Sequence, residues 1–212
     1  MPDLLFELFS EEIPARMQAG AERDLARLAA EGLRRAGLPS QLVQAFAGPR
    51  RLTLIVEDLP ARQEDSVEER RGPRIGAPER ALEGFERTTG LGRQDLTQKD
   101  GFWFAHIERP GRGTAEAIAE MAQAIIADFP WPKSMVWGEG ELRWVRPLRR
   151  ILCLFDGKVV PFKIGPVISG DVSEGHRFMP PAGAFKVSSI TEYKELLLSH
   201  HVVLESSERR RR

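Results

Sequence analysis

The sequence feature that most constrains the fold is a run of apolar residues at helical spacing between residues 116 and 129. Two prolines, Pro130 and Pro132, follow it. Its apolar positions recur at i, i+3, i+4, i+7 and i+8, and they are Ile118, Met121, Ala122, Ile125, Ile126 and Phe129. This spacing is typical of one face of an amphipathic α-helix. The sequence therefore predicts a helix from Glu116 to Phe129 that ends at the prolines.

Further helices and strands are indicated along the rest of the chain. Apolar residues at helical spacing predict helices over residues 15–35, 78–89 and 190–201. Clusters of β-branched and aromatic residues predict strands over 4–9, 42–46, 51–57, 101–108 and 185–187. Residues 143–155 and 158–164 form a predicted hairpin around Asp156-Gly157. This mixture predicts an α+β fold, with largely antiparallel sheets and amphipathic helices packed on their faces.

The predicted domain organisation is one α+β region over residues 1–204, followed by a short basic tail over 205–212 that is the beginning of a truncated helix. A division of the region into two lobes, 1–66 and 67–204, stays open. Leu59 to Arg71 is polar and is interpreted as an exposed connection. Arg70 to Pro78 is interpreted as a basic loop, because glycine and proline interrupt it.

The overall composition limits the classes of function. The chain has 31 Lys and Arg residues and 31 Asp and Glu residues, so its net charge is zero. Any affinity for a polyanion must then come from a local patch. The single cysteine, Cys153, cannot form an internal disulfide and fits a reducing cytosol. The N-terminus lacks a signal-peptide pattern, and no apolar run approaches the roughly 20 residues of a membrane span. We expect a cytoplasmic protein with no membrane partner.

No catalytic or metal-binding motif is present in the sequence. There is no GxxxxGK[ST] phosphate loop, and the four histidines have no cysteine or acid at metal-ligand spacing. Glu11 and Glu12 are adjacent acids, and neighbouring side chains of a strand or helix point apart. We therefore interpret this pair as structural, through a helix end or an arginine, and predict neither a catalytic residue nor a metal ligand.

Aromatic and basic residues alternate between Pro130 and Arg150. Three of the four tryptophans lie there, Trp131, Trp137 and Trp144, among basic residues that are Lys133, Arg143, Arg146, Arg149 and Arg150. Aromatic rings beside fixed positive charge are typical of surfaces that bind single-stranded nucleic acid. Tryptophans also commonly fill a core. The composition leaves both interpretations open.

Three basic segments could hold phosphate. They are Pro49-Arg50-Arg51, the segment from Arg70 to Arg74, and Gly175-His176-Arg177-Phe178. A His–Arg pair after a glycine can bind phosphate through charge-assisted hydrogen bonds, or it can brace its own loop. The arginines of the other two segments could likewise pair with nearby glutamates. The residues alone do not decide between these uses.

Several stretches, taken in order, resemble one known family. They are LLFELFSEEIPARM, AFAGPRRLTLIV, ERRGPRIGAP, FPWPKSMVWG, LRWVRPLRRILCLFDGKVV and GHRFM. Together they are similar to the N-terminal part of the β subunit of bacterial glycine–tRNA ligase. The resemblance runs from Leu4 to about Arg212, and the family's subunit continues well beyond that point.

The resemblance implies a subunit without its own catalytic centre. The family's enzyme contains two α and two β subunits and joins glycine to tRNA(Gly) through a glycyl-adenylate, with ATP and Mg²⁺. The α subunit carries the catalytic core and the β subunit recognises tRNA, so we expect this segment alone to be inactive and to hold no cofactor. We predict that the phosphate contacts to tRNA come from among Arg50, Arg51, Arg71, Arg74, Lys133, Arg146, His176 and Arg177.

Two alternatives to tRNA contact remain at this stage. In the first, the segment is an assembly module that docks on the α subunit or braces the rest of β, with the three tryptophans as core or interface anchors. In the second, the chain is an independent enzyme, which would show a deep pocket with several pKa-shifted groups.

Overall fold

The computed structural model describes residues 2–38, 42–137, 140–181 and 183–212, except for the side chains of Ser66 and Arg109. The chain forms two compact units. The main unit contains residues 1–61 and 113–212, and a smaller unit contains Arg62–Arg112. The prediction of one region over 1–204, with lobes at 1–66 and 67–204, stays a prediction.

Five helices and fourteen strands are formed by the described residues, with one 3-10 turn at Arg93–Asp95. The helices are α1 (Ala15–Arg35), α2 (Glu79–Thr89), α3 (Thr114–Ala127), α4 (Ile190–Ser199) and α5 (Ser206–Arg211). The first seven strands are β1 (Leu4–Ser10), β2 (Val43–Ala47), β3 (Arg51–Val56), β4 (Ser66–Arg74), β5 (Leu96–Lys99), β6 (Phe102–Arg109) and β7 (Met135–Val136). The others are β8 (Arg143–Trp144), β9 (Leu148–Phe155), β10 (Lys158–Val159), β11 (Lys163–Ile164), β12 (Val167–Gly170), β13 (Val172–Glu174) and β14 (Ala184–Lys186).

A seven-stranded sheet forms the centre of the main unit. Its order is β11-β12-β9-β1-β3-β2, and β10 pairs with β9. The central strand β1 is antiparallel to both neighbours, with Phe9 opposite Arg51 on one side and Arg150 on the other. Only β12 runs parallel to its neighbour β9. The described residues therefore confirm the α+β class and the largely antiparallel sheet.

One face of this sheet is covered by α1 and α3. Residues of α1 at intervals of four are buried against it: Met17, Ala21, Leu25, Ala29 and Leu33. The apolar stripe of α3 is buried in the same cluster, which confirms the amphipathic helix predicted for residues 116–129. The thiol of Cys153 lies in this core, where burial raises its pKa.

The three tryptophans of the 130–150 stretch belong to the core. Trp144 is 1% exposed and Trp131 is 9% exposed, and their ring centroids lie 5.1 Å apart. Trp137 packs against the same cluster and donates its indole N–H to the Trp144 carbonyl oxygen at 2.9 Å. Burial therefore excludes stacking of nucleic-acid bases on Trp131 and Trp144, for which the core interpretation holds, while Trp137 is partly buried against the same cluster.

The opposite face of the sheet packs on α4. Leu5, Ile55, Leu152 and Leu154 meet Tyr193 and Leu197 there. A capping interaction fixes the start of α4, since the Ser189 side chain accepts a hydrogen bond from the Glu192 N–H at 3.2 Å. This second layer carries polar as well as apolar side chains.

In the outer strand β2, both backbone groups of the last residue, Ala47, are hydrogen-bonded. The Ala47 N–H donates to a Glu22 carboxylate oxygen at 3.1 Å, and the Ala47 carbonyl oxygen accepts from Arg209 Nη2 at 2.8 Å. Arg209 also donates to the carbonyl oxygens of Val203 and Leu204. The predicted basic tail thus contributes an ordered helix, α5, whose first arginine ties it to the sheet.

The smaller unit is a three-stranded antiparallel sheet, β4-β6-β5, with α2 packed on one face. Its β4 corrects the sequence interpretation, because residues 66–74 are a strand rather than an exposed connection and loop. Gly72 lies against Phe85 of α2, and a Cβ at this position would come within 2.5 Å of the ring. The glycine that suggested a loop is therefore required for the strand to approach the helix.

Candidate nucleic-acid interface

Four of the eight predicted contact residues lie close together in the main unit: Arg50, Arg51, His176 and Arg177. Arg71 and Arg74 belong to the smaller unit. Lys133 is exposed and Arg146 is half-buried, with its Nη1 donating to the Val145 carbonyl oxygen at 3.2 Å. Within the main unit, Lys133 and Arg146 are not among the residues that line the cleft and groove around Arg50.

The site is built where β1 ends and β3 and β9 begin. Because β1 is antiparallel to both neighbours, its last residues meet the first residues of the other two strands. The Ser10 N–H donates to the Arg50 carbonyl oxygen at 2.8 Å, and the Glu11 N–H donates to the Pro147 carbonyl oxygen at 3.1 Å. These backbone contacts fix the position of Arg50 beside the two acids.

A cleft of about 250 Å³ opens at this end of the sheet. Its charged and polar lining consists of Glu11, Arg50, Arg149, Glu174, His176 and Arg177. An adjoining groove of about 340 Å³ shares Arg50 and Arg177 and is otherwise largely apolar. The two depressions together present guanidinium groups beside apolar surface.

Arg177 binds both acids that follow β1. Its Nη2 lies 2.6 Å from a Glu11 carboxylate oxygen, and its Nη1 donates to Glu12. The hydrogen bond that Arg177 donates to Glu11 raises the pKa of Arg177. The interpretation of Glu11 and Glu12 as structural is supported, but their side chains do not point apart, because the chain has left the regular strand at Glu11.

Arg50 is the guanidinium with unmet bonding capacity in this cleft. Its side chain is only 15% exposed, and it lies over the Phe9 ring with 4.5 Å between the guanidinium carbon and the ring centroid. Its nearest carboxylate oxygen in Glu174 is 4.0 Å away, and its buried Nε has no acceptor among the described residues. Burial, and then the positive charge of Arg177, lower the pKa of Arg50. An anion in the cleft would accept hydrogen bonds from the terminal N–H groups of Arg50, whose nearest carboxylate oxygen is beyond hydrogen-bond distance.

Arg51 is bound inside a buried polar network, although its guanidinium carbon also lies 5.2 Å from the Phe9 centroid. Its Nη1 is 2.9 Å from a carboxylate oxygen of Glu7, whose side chain is fully buried. Its Nη2 donates to the Glu174 carbonyl oxygen at 2.5 Å. The predicted phosphate contact at Arg51 therefore conflicts with its burial, since Glu7 and the backbone already occupy the guanidinium.

Glu7 is the centre of that network. It accepts hydrogen bonds from Ser173 Oγ at 2.7 Å and from the Tyr193 hydroxyl at 2.5 Å. The Tyr193 oxygen also lies 2.9 Å from Thr53 Oγ1. Burial, and then the charge of Glu7, raise the pKa of Tyr193 well above its usual value. The network joins β1, β3, β13 and α4 directly beneath the cleft.

The loop that carries His176 is fixed at its glycine. A Cβ on Gly175 would lie 2.4 Å from Cβ of His200, so only glycine allows this approach. The His176 N–H donates to the His200 carbonyl oxygen at 2.9 Å, and His176 Nδ1 accepts from the Phe178 N–H at 3.2 Å. These contacts brace the loop. A phosphate contact by His176 or Arg177 stays a prediction.

Sequence reasoning missed Arg149 and Glu174 as cleft residues. Arg149 Nε lies 3.3 Å from a Glu11 carboxylate oxygen, and Glu174 accepts from Arg150 Nε at 2.8 Å. The register of β9 against β1 brings these arginines to the acids, and that pairing leaves no local signal in the sequence. Among the described residues, no three His, Cys, Asp or Glu side chains converge as they would around a metal ion. Within the same ranges, no helix has the length and hydropathy required to cross a membrane.

The fold and the cleft define an α+β protein with an arginine-lined depression at one end of an antiparallel sheet. A family model described as "Glycyl-tRNA synthetase beta subunit" matches residues 4–212. The chain therefore belongs to the glycyl-tRNA synthetase beta subunit family.

Three curated relatives show the extent of the similarity. The chain is 59% identical to the glycine–tRNA ligase beta subunit of Phenylobacterium zucineum, over all of this chain and 32% of that protein. It is 51% identical to the protein of the same description from Dinoroseobacter shibae, over 99% of this chain and 30% of that protein. The corresponding protein of Paracoccus denitrificans is 50% identical, over 99% of this chain and 32% of its own length. The chain thus spans about a third of the length of these relatives.

Proposed function

We propose that this chain is the N-terminal, non-catalytic part of a glycine–tRNA ligase β subunit and that it binds tRNA phosphate through the cleft at Arg50. In this role it supports the ATP- and Mg²⁺-dependent attachment of glycine to tRNA(Gly) in the cytoplasm. The α subunit, in an assembly of two α and two β subunits, supplies the catalytic centre and holds the ATP and Mg²⁺. The segment alone has no ligase activity.

The observation that carries the proposal is the incomplete bonding of Arg50. A buried guanidinium normally has acceptors for its N–H groups, and exceptions require an explanation. Arg50 has one distant carboxylate and an orphan Nε, while Arg177 beside it is neutralised by two glutamates. A phosphate oxygen in the cleft would meet the terminal N–H groups of Arg50, and Arg149 lines the same cleft.

The test is the salt dependence of tRNA(Gly) binding by the chain. Each neutralised phosphate contributes about 0.9 to the slope of log affinity against log salt on duplex RNA or DNA. We expect Arg50→Gln to weaken binding several-fold and to reduce that slope by about one unit. The matched control is Arg34→Gln. It removes the same charge from an exposed position on α1, which packs on the face of the sheet opposite to α4.

Two outcomes would contradict the proposal. In one, the unsubstituted chain fails to bind tRNA(Gly) even at low salt. In the other, Arg50→Gln and Arg34→Gln change affinity and slope by the same small amount. A circular dichroism spectrum of each variant excludes unfolding as the cause of any loss.

An assembly role is favoured by a separate observation in the main unit. Met135 and Val136 form the short strand β7 and are 43% and 46% exposed, which leaves adjacent apolar side chains uncovered. Such residues can anchor a protein interface. Retention of the α subunit by the chain in the absence of RNA would support this second role, and it is compatible with the first.

A further inference from the structure

The outer face of the smaller unit carries aromatic side chains where a solvent-facing strand would carry polar ones. Successive residues of β6 alternate between the two faces of its sheet. Trp103, Ala105 and Ile107 point toward α2, so Phe102 and Phe104 lie on the opposite face, where both are half-buried. Two neighbouring phenylalanines on the sheet face that α2 does not cover form a candidate contact surface.

Basic residues from both outer strands flank the two rings. The Arg71 guanidinium carbon lies 3.5 Å from the centroid of Phe102, which is a close cation–π stack. The Arg74 guanidinium carbon is 5.5 Å from the same centroid, and Lys99 Nζ is 5.9 Å from the centroid of Phe104. All three basic side chains are exposed.

An irregularity in β4 places both arginines on this face. Arg71 pairs with Phe104 and Arg74 pairs with Phe102, so three steps along β4 match two steps along β6. The extra residue is a β-bulge, and a bulge changes the face to which the following side chain points. Without it, Arg74 would point toward α2. The bulge and the close approach of Gly72 to Phe85 together build the basic edge of the face.

We infer that this face binds unpaired nucleotides of RNA, with bases stacked on Phe104 and on the Arg71–Phe102 pair and phosphates on Arg74 and Lys99. The inference rests on the proposed function for RNA as the partner, but it concerns a different surface and a different chemistry. Bases of single strands stack on exposed aromatic rings and on guanidinium planes, and the phosphates between them bind nearby cations.

The charge distribution favours RNA over a protein partner. Three cations surround the two rings, and the acids of this face, Glu69 and the exposed Glu108, lie toward its far end. Glu69 is 4.0 Å from Lys99 Nζ and 3.9 Å from His106 Nδ1. Protein interfaces instead bury apolar cores with few charges. Apart from the two rings, the exposed Val67 contributes apolar surface to this face, and it lies beside Glu108 at the end away from the cations. At the basic end, a polyanion with flat bases fits the chemistry best.

The experiment separates stacking from simple charge attraction. Fluorescence anisotropy of the chain is measured with a labelled oligouridylate of about 12 nucleotides, within the range of known single-strand site sizes. An abasic ribose-phosphate oligomer of the same length and charge is the matched ligand. We expect the oligouridylate to bind about 10-fold or more tightly than the abasic oligomer, because stacking adds to each phosphate contact.

Two substitutions assign the stacking to this face. Phe104→Leu keeps an apolar side chain but removes the ring, and it should reduce the preference for oligouridylate to near unity. Phe104→Tyr keeps a ring and should retain the preference. It is therefore the control that distinguishes loss of the ring from misfolding. Equal binding of the two ligands by the unsubstituted chain would overturn the inference. So would an unchanged preference in Phe104→Leu, or capture of the α subunit that Phe104→Leu abolishes.

The results also separate this inference from the function of the cleft. If Arg50→Gln weakens tRNA binding while Phe104→Leu leaves the preference for oligouridylate unchanged, the results support the cleft and contradict the stacking face. If Phe104→Leu removes the preference for bases while Arg50→Gln has no effect on tRNA affinity, the results support the stacking face and contradict the cleft.

Discussion

Arg50 and Arg51 are adjacent and identical in type, yet they occupy opposite environments. Arg50 has an orphan Nε beside another cation, whereas Arg51 neutralises the fully buried Glu7. Charge pattern alone predicts phosphate contact for both residues. The strand alternation that separates them is visible in the sequence, but the carboxylate that captures Arg51 comes from 44 residues away. The distinction is therefore a property of tertiary pairing.

Replacing each arginine by methionine should separate the two roles. Arg51→Met leaves the Glu7 carboxylate buried without its cation, so we expect it to lower the free energy of unfolding by about 3–5 kcal/mol. Arg50→Met removes an incompletely bonded charge, so we expect a change of less than about 1 kcal/mol. Urea denaturation followed by tryptophan fluorescence measures both.

A double variant provides the control for this prediction. Glu7→Leu combined with Arg51→Met removes both charges and should recover most of the stability that Arg51→Met loses. A loss of stability in Arg50→Met equal to that in Arg51→Met would show that Arg50 is a structural residue.

Tyr193 should make stability depend on pH in the alkaline range. Its pKa is raised by burial and by Glu7, so the folded chain retains the phenolic proton when the unfolded chain loses it. The stabilisation is complete below about pH 10, the pKa of an unfolded tyrosine, and is lost as pH rises toward the folded pKa. We expect the free energy of unfolding to fall with a slope of up to about 1.4 kcal/mol per pH unit.

The measurement is direct because the chain contains a single tyrosine. Absorbance at the phenolate wavelength should stay flat in the folded chain through pH 10 and rise only with unfolding, whereas the chain in urea should titrate near pH 10. Titration of the folded chain with that same ordinary midpoint would contradict the buried network around Glu7.

At the scale of secondary structure, the long helices were predictable, whereas several strands were not, among them β4, β5, β12 and β13. The bounds of α1 match the predicted range, because its core residues repeat every four positions and the signal is contained within the helix. β4 is polar, contains Gly72-Pro73 and is held by pairing with β6 across a long stretch of chain. Its strand character comes from that distant partner. The sequence likewise left the use of the tryptophans between Pro130 and Arg150 open, since the burial of Trp131 and Trp144 depends on packing in the core cluster that contains residues of α3 and β9.

At the scale of the whole molecule, the two ends of the segment that forms the smaller unit are held close together in space. In the main unit, the Thr114 hydroxyl donates to the Pro60 carbonyl oxygen at 2.6 Å and its N–H donates to Ala61 at 3.2 Å. In the smaller unit, the Gln63 N–H donates to the Arg112 carbonyl oxygen at 2.9 Å. The two ends of the excursion are therefore adjacent in each unit.

Removing residues 62–112 and joining Ala61 to Gly113 through a short glycine linker should leave the main unit folded. A short connection costs little closure entropy when its ends are already adjacent. We expect cooperative urea unfolding, reported by Trp131, Trp137 and Trp144, with a smaller m-value because less surface is exposed on unfolding. The deleted chain should retain tRNA binding that depends on Arg50. A broad, non-cooperative transition would show that the main unit depends on the excised residues.

The capping of β2 also bears on how the molecule behaves among copies of itself. An outer strand with free N–H and carbonyl groups is a template on which another chain can add a strand, and this route leads to aggregation. At Ala47 both groups are already taken, one by Glu22 of α1 and the other by Arg209 of α5. Helix α5 therefore obstructs the addition of a strand at this end of β2, because an incoming chain would have to displace Arg209 from the Ala47 carbonyl oxygen.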